Sequence, residues 1–293
     1  MKILIADSGS TKTHWALVEQ LPGLPKLIRT TQTQGLNPLY VTTEQIASAC
    51  RMALVEIGED PIGLDELRFY GSGCSGDRIS QVEHALRTLL TPRTRVVVDS
   101  DLMGAAMALE IKGLPATTAQ PFIACILGTG SIAALFDPAT RNLLPMPALG
   151  YVLGDEGSGA WFGRHLLSDY LKKQMPKQTR QAFEDDFGTI SAENAIRHVY
   201  QMPTPNRYLA TFAAFVGRHL EMPYVVRLAY RGVDEFWRRN VLPIGELDDW
   251  SDVNDVRLVG SLAWSLRPVI EKVAESHGFV VTQVIKDPIE GLV

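Results

Sequence analysis

Asp7-Ser8-Gly9-Ser10-Thr11-Lys12-Thr13 is the stretch on which the reading of this chain turns. It separates the apolar run 2–6 from a second apolar run, 15–18, so the layout is strand, tight polar loop, strand. Gly9 can supply the positive φ of a hairpin turn and leaves room for a ligand to approach the backbone. The hydroxyls of Ser8, Ser10, Thr11 and Thr13, the amine of Lys12 and the backbone N–H groups make a natural phosphate cradle. Asp7, at the strand end, is placed to hold a hydrated Mg²⁺ bound to those phosphates. An ordinary polar hairpin is the alternative reading of this loop by itself.

The 293 residues suit two domains with sizeable cores. Apolar residues at 46% and charged ones at 21% describe a globular chain, and the net charge of −5 argues against nucleic acid or an anionic membrane as partner. Three cysteines, Cys50, Cys74 and Cys125, lack metal-ligand spacing and fit a reduced, cytoplasmic protein. The apolar run before Asp7 is too short for a signal peptide. The uncharged stretch 113–136 contains Pro115, Pro121 and a Gly-Thr-Gly turn, which predicts a buried strand pair rather than a membrane span.

Further along, 26–33 reads as a third strand and Gly35-Leu36-Asn37-Pro38 as a loop. Thr43 caps a helix with Ile46, Ala49, Cys50, Ala53, Leu54 and Ile57 on one face. A strand at 67–70, a helix through Val82 and Leu86, a strand at 95–98 and a small-residue helix over 102–111 complete the first half. The second half opens like the first: strand 122–127, Gly128-Thr129-Gly130-Ser131, strand 132–136. This repeat sets two domains, 1–112 and 113–293, with the last segment packing back on the first. Helices are predicted over 156–174, 191–201, 206–220, 222–240 and from Ser261 to Ser276, and strands over 257–259 and 280–284. The class is α/β.

Gly71 to Gly76 matches G-x-G-x-x-G, with Asp99 ending the next strand, as in dinucleotide sites. The match lies outside the first βα unit, and a tight or substrate-contacting turn is the alternative. Gly260-Ser261, at a strand-to-helix turn, would let a base or ribose lie against the backbone; a serine cap is the other reading.

Taken together, DSGSTKT, GTGS, GDEGSG (154–159) and VGSLA resemble the actin-like ATPase and sugar-kinase superfamily, and within it the N-acetylglucosamine kinase branch grouped with the BadF/BadG-type ATPases. The resemblance runs nearly end to end. It implies two domains of ribonuclease-H-like topology with a nucleotide cleft between them, and ATP and Mg²⁺ as cofactors. Gly9, Ser10, Thr11, Lys12 and Thr13 would then bind the β/γ-phosphates, Gly128, Thr129, Gly130 and Ser131 would bind phosphate from the other domain, and Gly260 and Ser261 would touch adenosine. It places the catalytic aspartate at Asp101; a carboxylate at a strand tip can align an acceptor hydroxyl and take its proton. Asp99 competes on the same side of the strand, and a plain helix cap at Asp101 also fits. For the sugar the resemblance points to Asn37, Ser75, Gly76 and Asp155. Where relatives carry a Gly-Gly-Trp-Gly-type run before GDEGSG, this chain reads Pro147-Ala148-Leu149-Gly150-Tyr151-Val152-Leu153.

The expected function is a cytoplasmic ATP-dependent kinase, with a homodimer as the expected assembly, that converts N-acetylglucosamine to its 6-phosphate. An ATPase that activates a partner enzyme, and a nucleotide or sugar sensor without turnover, are the alternatives.

Overall fold

The computed structural model describes residues 1–21, 25–111, 119–246 and 252–293. The expected domain boundary beside Gly113 and Pro115 lies outside the described residues. Two compact units emerge: Met1–Glu110 with Asp287–Val293, and Ile111–Lys286.

The first unit is built on a sheet of order β3-β2-β1-β4-β5. Its strands are β1 (Lys2–Ser8), β2 (Lys12–Gln20), β3 (Pro25–Gln34), β4 (Glu66–Gly71) and β5 (Arg95–Ser100), with α1 (Thr43–Ile57), α2 (Asp77–Arg87) and α3 (Asp101–Ala108). β1 is antiparallel to β2 and parallel to β4. Its uninterrupted apolar run follows from burial on both faces. Leu4 and Ala6 pack with α1 and α2 through Ile46, Leu54, Val82 and Leu86. Ile3 and Ile5 face the other way, against Met103 and Met107 of α3 and Ile289, Leu292 and Val293 of the C-terminal helix (Pro288–Leu292).

The second unit repeats this topology. β6 (Phe122–Leu127), β7 (Ser131–Asp137), β8 (Asn142–Pro145), β9 (Asp255–Val259) and β10 (Val280–Ile285) form a sheet of order β10-β9-β6-β7-β8. β6 occupies the place of β1, antiparallel to β7 and parallel to β9. The helices are α4 (Gly150–Leu153), α5 (Gly159–Leu171), α6 (Lys177–Phe187), α7 (Ala192–Tyr200), α8 (Pro205–Thr211), α9 (Ala214–Arg218), α10 (Pro223–Phe236), α11 (Ser261–Ser265) and α12 (Arg267–Ser276). Each half is thus a meander of three strands extended by two parallel ones, the α/β pattern of the actin-like fold.

Several boundaries differ from the sequence reading. Thr42, not Thr43, caps α1, in a capping box with Gln45. The helix expected from Glu156 starts at Gly159, because Asp155 and Gly157 hold positive φ (54° and 67°) and the Ser158 hydroxyl accepts the Trp161 N–H. The single helix expected over 206–220 is two, α8 and α9, divided at Phe212–Ala213. The helix expected over 261–276 is broken at Leu266, where Pro268 enters the first turn of α12. β8, α4 and α6 are additions that the sequence reading lacks.

Gly260 joins β9 to α11 with φ +130°, and a Cβ there would sit 2.1 Å from the Leu127 carbonyl oxygen. Gly260→Ala is therefore expected to lower stability by at least about 2 kcal/mol, read as the midpoint of urea unfolding; an unchanged midpoint would show that the turn can relax.

Candidate active site

In the first unit the hairpin between β1 and β2 is shorter than the sequence suggests, since only Gly9, Ser10 and Thr11 lie outside strands. Gly9 does not take a positive φ. Its N–H donates to the Lys12 carbonyl at 3.0 Å, and a Cβ would meet nothing closer than that oxygen at 3.8 Å. What fixes the turn is a buried hydroxyl pair. Ser8 Oγ and Thr13 Oγ1 lie 2.8 Å apart, Thr13 donates to the Gln34 carbonyl, and Ser8 accepts the Leu36 N–H. Thr13 thus points inward and braces the loop, while Ser10, Thr11 and Lys12 keep solvent access.

Asp7 stands near the end of β1, paired across the ladder with His14. Burial, then the charges of Asp287 and Asp101, push its carboxyl up to about 8, and Lys12 offsets them only in part. Asp101 is the first residue of α3, one step beyond β5. Burial pushes it up to about 6, against the Leu102 N–H and the Ser72 hydroxyl, which favour its charged form. The helix cap is Ser100, whose hydroxyl accepts the Met103 N–H, so Asp101 is not the capping residue. Asp99 accepts the N–H of Ser100 at 2.7 Å. Asp7 and Asp101 are thus neighbouring buried acids, with Lys12 the cation that acts on Asp7; among the described residues no three acidic, histidine or cysteine side chains are gathered as a metal site.

Asn37, buried after β3, donates to Ser72 Oγ at 3.3 Å and accepts the Leu39 N–H. A polar chain therefore runs from Asn37 through Ser72 to Asp101. Ser72 was not singled out from sequence; its place inside the glycine run 71–76 was the available signal. A Cβ at Gly73 would fall 2.3 Å from Asn37 Oδ1, so the turn closes over the Asn37 amide. Ser75 and Gly76 follow on the surface, and Gly76 opens α2.

In the second unit the turn Gly128–Gly130 is held from outside itself. The Gly128 carbonyl accepts the Gly159 N–H at 2.8 Å and the Thr129 carbonyl accepts the Ala160 N–H at 3.0 Å. Asp155 Oδ1 accepts the Ser131 N–H at 3.1 Å, and a Cβ at Gly130 would lie 2.9 Å from the same oxygen. The turn and the 154–159 loop are thus one structure. Burial raises the Asp155 carboxyl above its ordinary value despite that N–H.

Beside this turn lies a cavity of about 370 Å³ lined by Gly128, Thr129, Ala214, Gly217, Ser261 and Leu262 among others. Its volume is in the range of small-molecule sites. Ser261 is the first residue of α11 and makes no side-chain cap. Ala210, Ala213, Ala214 and Gly217 all line the cavity. Their spacing of three and four residues was legible as a small-residue face, one that admits a flat ring.

A protein from Porphyromonas gingivalis, described as a candidate N-acetylglucosamine kinase, is 38% identical, with 99% of this chain and 96% of that one covered at a TM-score of 0.86. The chain belongs to this sugar-kinase family. Members of the wider fold are more distant. A candidate N-acetylglucosamine kinase from Chromobacterium violaceum is 21% identical over 99% of this chain and 96% of that one, with a TM-score of 0.66. The ROK family glucokinase from Streptomyces griseus, solved with glucose and AMPPNP, is 14% identical over 100% and 97%, with a TM-score of 0.59. These two share the fold. No protein-family model matches the sequence, and no curated protein does.

Because Asp7 in the fold titrates near 8 rather than at its ordinary 3.8, the folded state holds a proton that the unfolded state has lost between those values. Its contribution to stability falls as pH rises through that window. In EDTA, the Tm of Asp7→Asn minus that of the natural chain is expected to grow from pH 5 to pH 8 and then level; a difference independent of pH would contradict the shifted carboxyl.

Proposed function

We propose that this sugar-kinase family member transfers the γ-phosphoryl group of ATP to the 6-hydroxyl of N-acetylglucosamine. The observation that supports it best is Asp101, a carboxylate recessed yet partly accessible at the start of α3 and joined through Ser72 to Asn37. Its pKa of about 6 lets it be ionised at neutral pH and still accept a proton. The likeness to the Porphyromonas and Chromobacterium candidate N-acetylglucosamine kinases favours this sugar, and the AMPPNP-bound glucokinase favours ATP. A place in the BadF/BadG-type branch belongs to the same proposal and rests on the GDEGSG and DSGSTKT runs.

In this reading Asp101 aligns the acceptor hydroxyl and receives its proton as the O–P bond forms and ADP departs. Asn37, Ser75, Gly76 and Asp155 are assigned to the sugar. Gly9, Ser10, Thr11 and Lys12 contact the β/γ-phosphates, with Thr13 bracing their turn. Gly128, Thr129, Gly130 and Ser131 serve phosphate in the second unit, and the cavity beside them, with Gly260 and Ser261, takes the nucleoside. Asp7 is the residue placed to hold Mg²⁺, which supplies neutralisation of the triphosphate charge.

The reading of a partner-activating ATPase requires cysteines free to ligate a cluster. Cys50, Cys74 and Cys125 are all buried, and burial pushes Cys50 and Cys74 up to about 12. Such thiols are poor ligands in place.

ADP release with Mg·ATP should be stimulated strongly by N-acetylglucosamine in a panel with glucosamine, N-acetylmuramic acid, N-acetylmannosamine and glucose. Sugar-independent release would overturn the kinase reading, and stimulation by another sugar alone would reassign the substrate. Asp101→Asn should lower kcat by roughly 10²–10⁴-fold while ATP still binds. In the natural enzyme kcat/KM should fall about tenfold per pH unit below about 6, as Asp101 gains its proton. A flat acid limb or near-normal turnover in the variant would remove Asp101 from the role of base.

A further inference from the structure

The last segment of the chain does more than cover a sheet face. Asp287 begins it, and three groups converge on this carboxylate. His14 Nδ1 lies 2.5 Å and Lys12 Nζ 3.7 Å from the same oxygen, Oδ2. Oδ1 accepts the Ile289 N–H at 3.3 Å, which caps the C-terminal helix. That helix is itself fixed, since Gly291 packs so closely on the Ala108 carbonyl that a Cβ would lie 2.1 Å from its oxygen. Ile289, Leu292 and Val293 anchor it on β1, β2 and α3. Asp287 is therefore a rigid anion, held at both oxygens, directly beside the hairpin that carries Lys12.

Lys12 needs such an anchor. Its side chain is 56% exposed and has four rotatable bonds, so an unrestrained ammonium would lose considerable rotamer freedom on gripping phosphate. A fixed carboxylate confines it beforehand, and pre-organisation of this kind strengthens binding without a new ligand contact.

We propose that Asp287 is a positioning residue for nucleotide binding, acting through Lys12, so that the C-terminal segment is a working part of the phosphate site of the first unit. This inference rests on the assignment of Lys12 to the phosphates of ATP. His14 braces the same oxygen from β2, and the hydrophobic seat of residues 289–293 keeps the carboxylate in register with the turn.

The test is a double-mutant cycle on Mg·ATP affinity, measured by calorimetry without sugar on the full chain. Asp287→Asn removes the charge but keeps an N-cap side chain, so the C-terminal helix stays capped. Lys12→Met removes the amine. Asp287→Asn is expected to weaken Mg·ATP by about tenfold in the natural background and by less than about twofold in the Lys12→Met background. Circular dichroism melting of each variant separates loss of the site from loss of the fold, and Asp287→Glu should recover part of the affinity. Equal weakening in both backgrounds would overturn the inference, because Asp287 would then act independently of Lys12. Tighter binding in Asp287→Asn would overturn it too, since the carboxylate would be competing for the amine. Sugar-independent ADP release alongside a coupled cycle would sink the kinase reading and leave this inference standing, whereas absence of Mg·ATP binding in the natural chain would overturn both.

Discussion

Two carboxylates, Asp7 and Asp101, sit where burial makes ionisation unfavourable, the more so for Asp7 because of the charges of Asp287 and Asp101, and this constraint organises the first unit. Asp7 lies near the end of β1 and Asp101 just beyond β5, with β4 between those strands in the sheet. The parallel pairing of β1, β4 and β5 brings all three C-terminal ends to one edge. A fold without a ligand gains nothing from placing acids there; replacing them with neutral groups would relieve desolvation. In the proposed function they serve a cation and a phosphoryl group, with Lys12 as the nearby compensating charge.

The same topology is used twice with different chemistry. In the first unit the strand-turn-strand hairpin stands beside Asp7 and Asp287; in the second, the corresponding hairpin between β6 and β7 is braced by Asp155 and borders a small-residue cavity. The second turn cannot be separated from the loop that follows α4, because Asp155, Gly159 and Ala160 all bond to it. A change at Asp155 would therefore reach the Gly128–Gly130 turn through the Ser131 N–H. Upstream, Leu149, Val152 and Leu153 are largely exposed.

Much of this was legible in the sequence. Apolar runs gave the strands and 3.6-residue spacing gave α1 with the same buried face, and the repeated Gly/Ser/Thr hairpin foretold the repeated sheet. What escaped was decided by tertiary contact. Gly9 looked like the residue demanding special backbone, yet the turn is fixed by the Ser8–Thr13 hydroxyl pair, which appears only once β1 and β2 are in register. Ser72 and Asp287 carry no local signal of their own, since their meaning depends on Asp101 and on Lys12, 29 and 275 residues away by subtraction of the residue numbers. The break between α8 and α9 has no proline or glycine to announce it, whereas Pro268 marks the break before α12 in the sequence itself.

The central claim is that the first unit carries destabilising acids for the sake of Mg·ATP. Thermal unfolding of the natural chain and of Asp7→Asn, each with and without Mg·AMPPNP, tests it most directly. The account predicts a crossover: the variant is the more stable protein without ligand, while only the natural chain gains substantially when Mg·AMPPNP is added. Equal gains in both proteins would contradict it, because Asp7 would then be dispensable for the metal nucleotide.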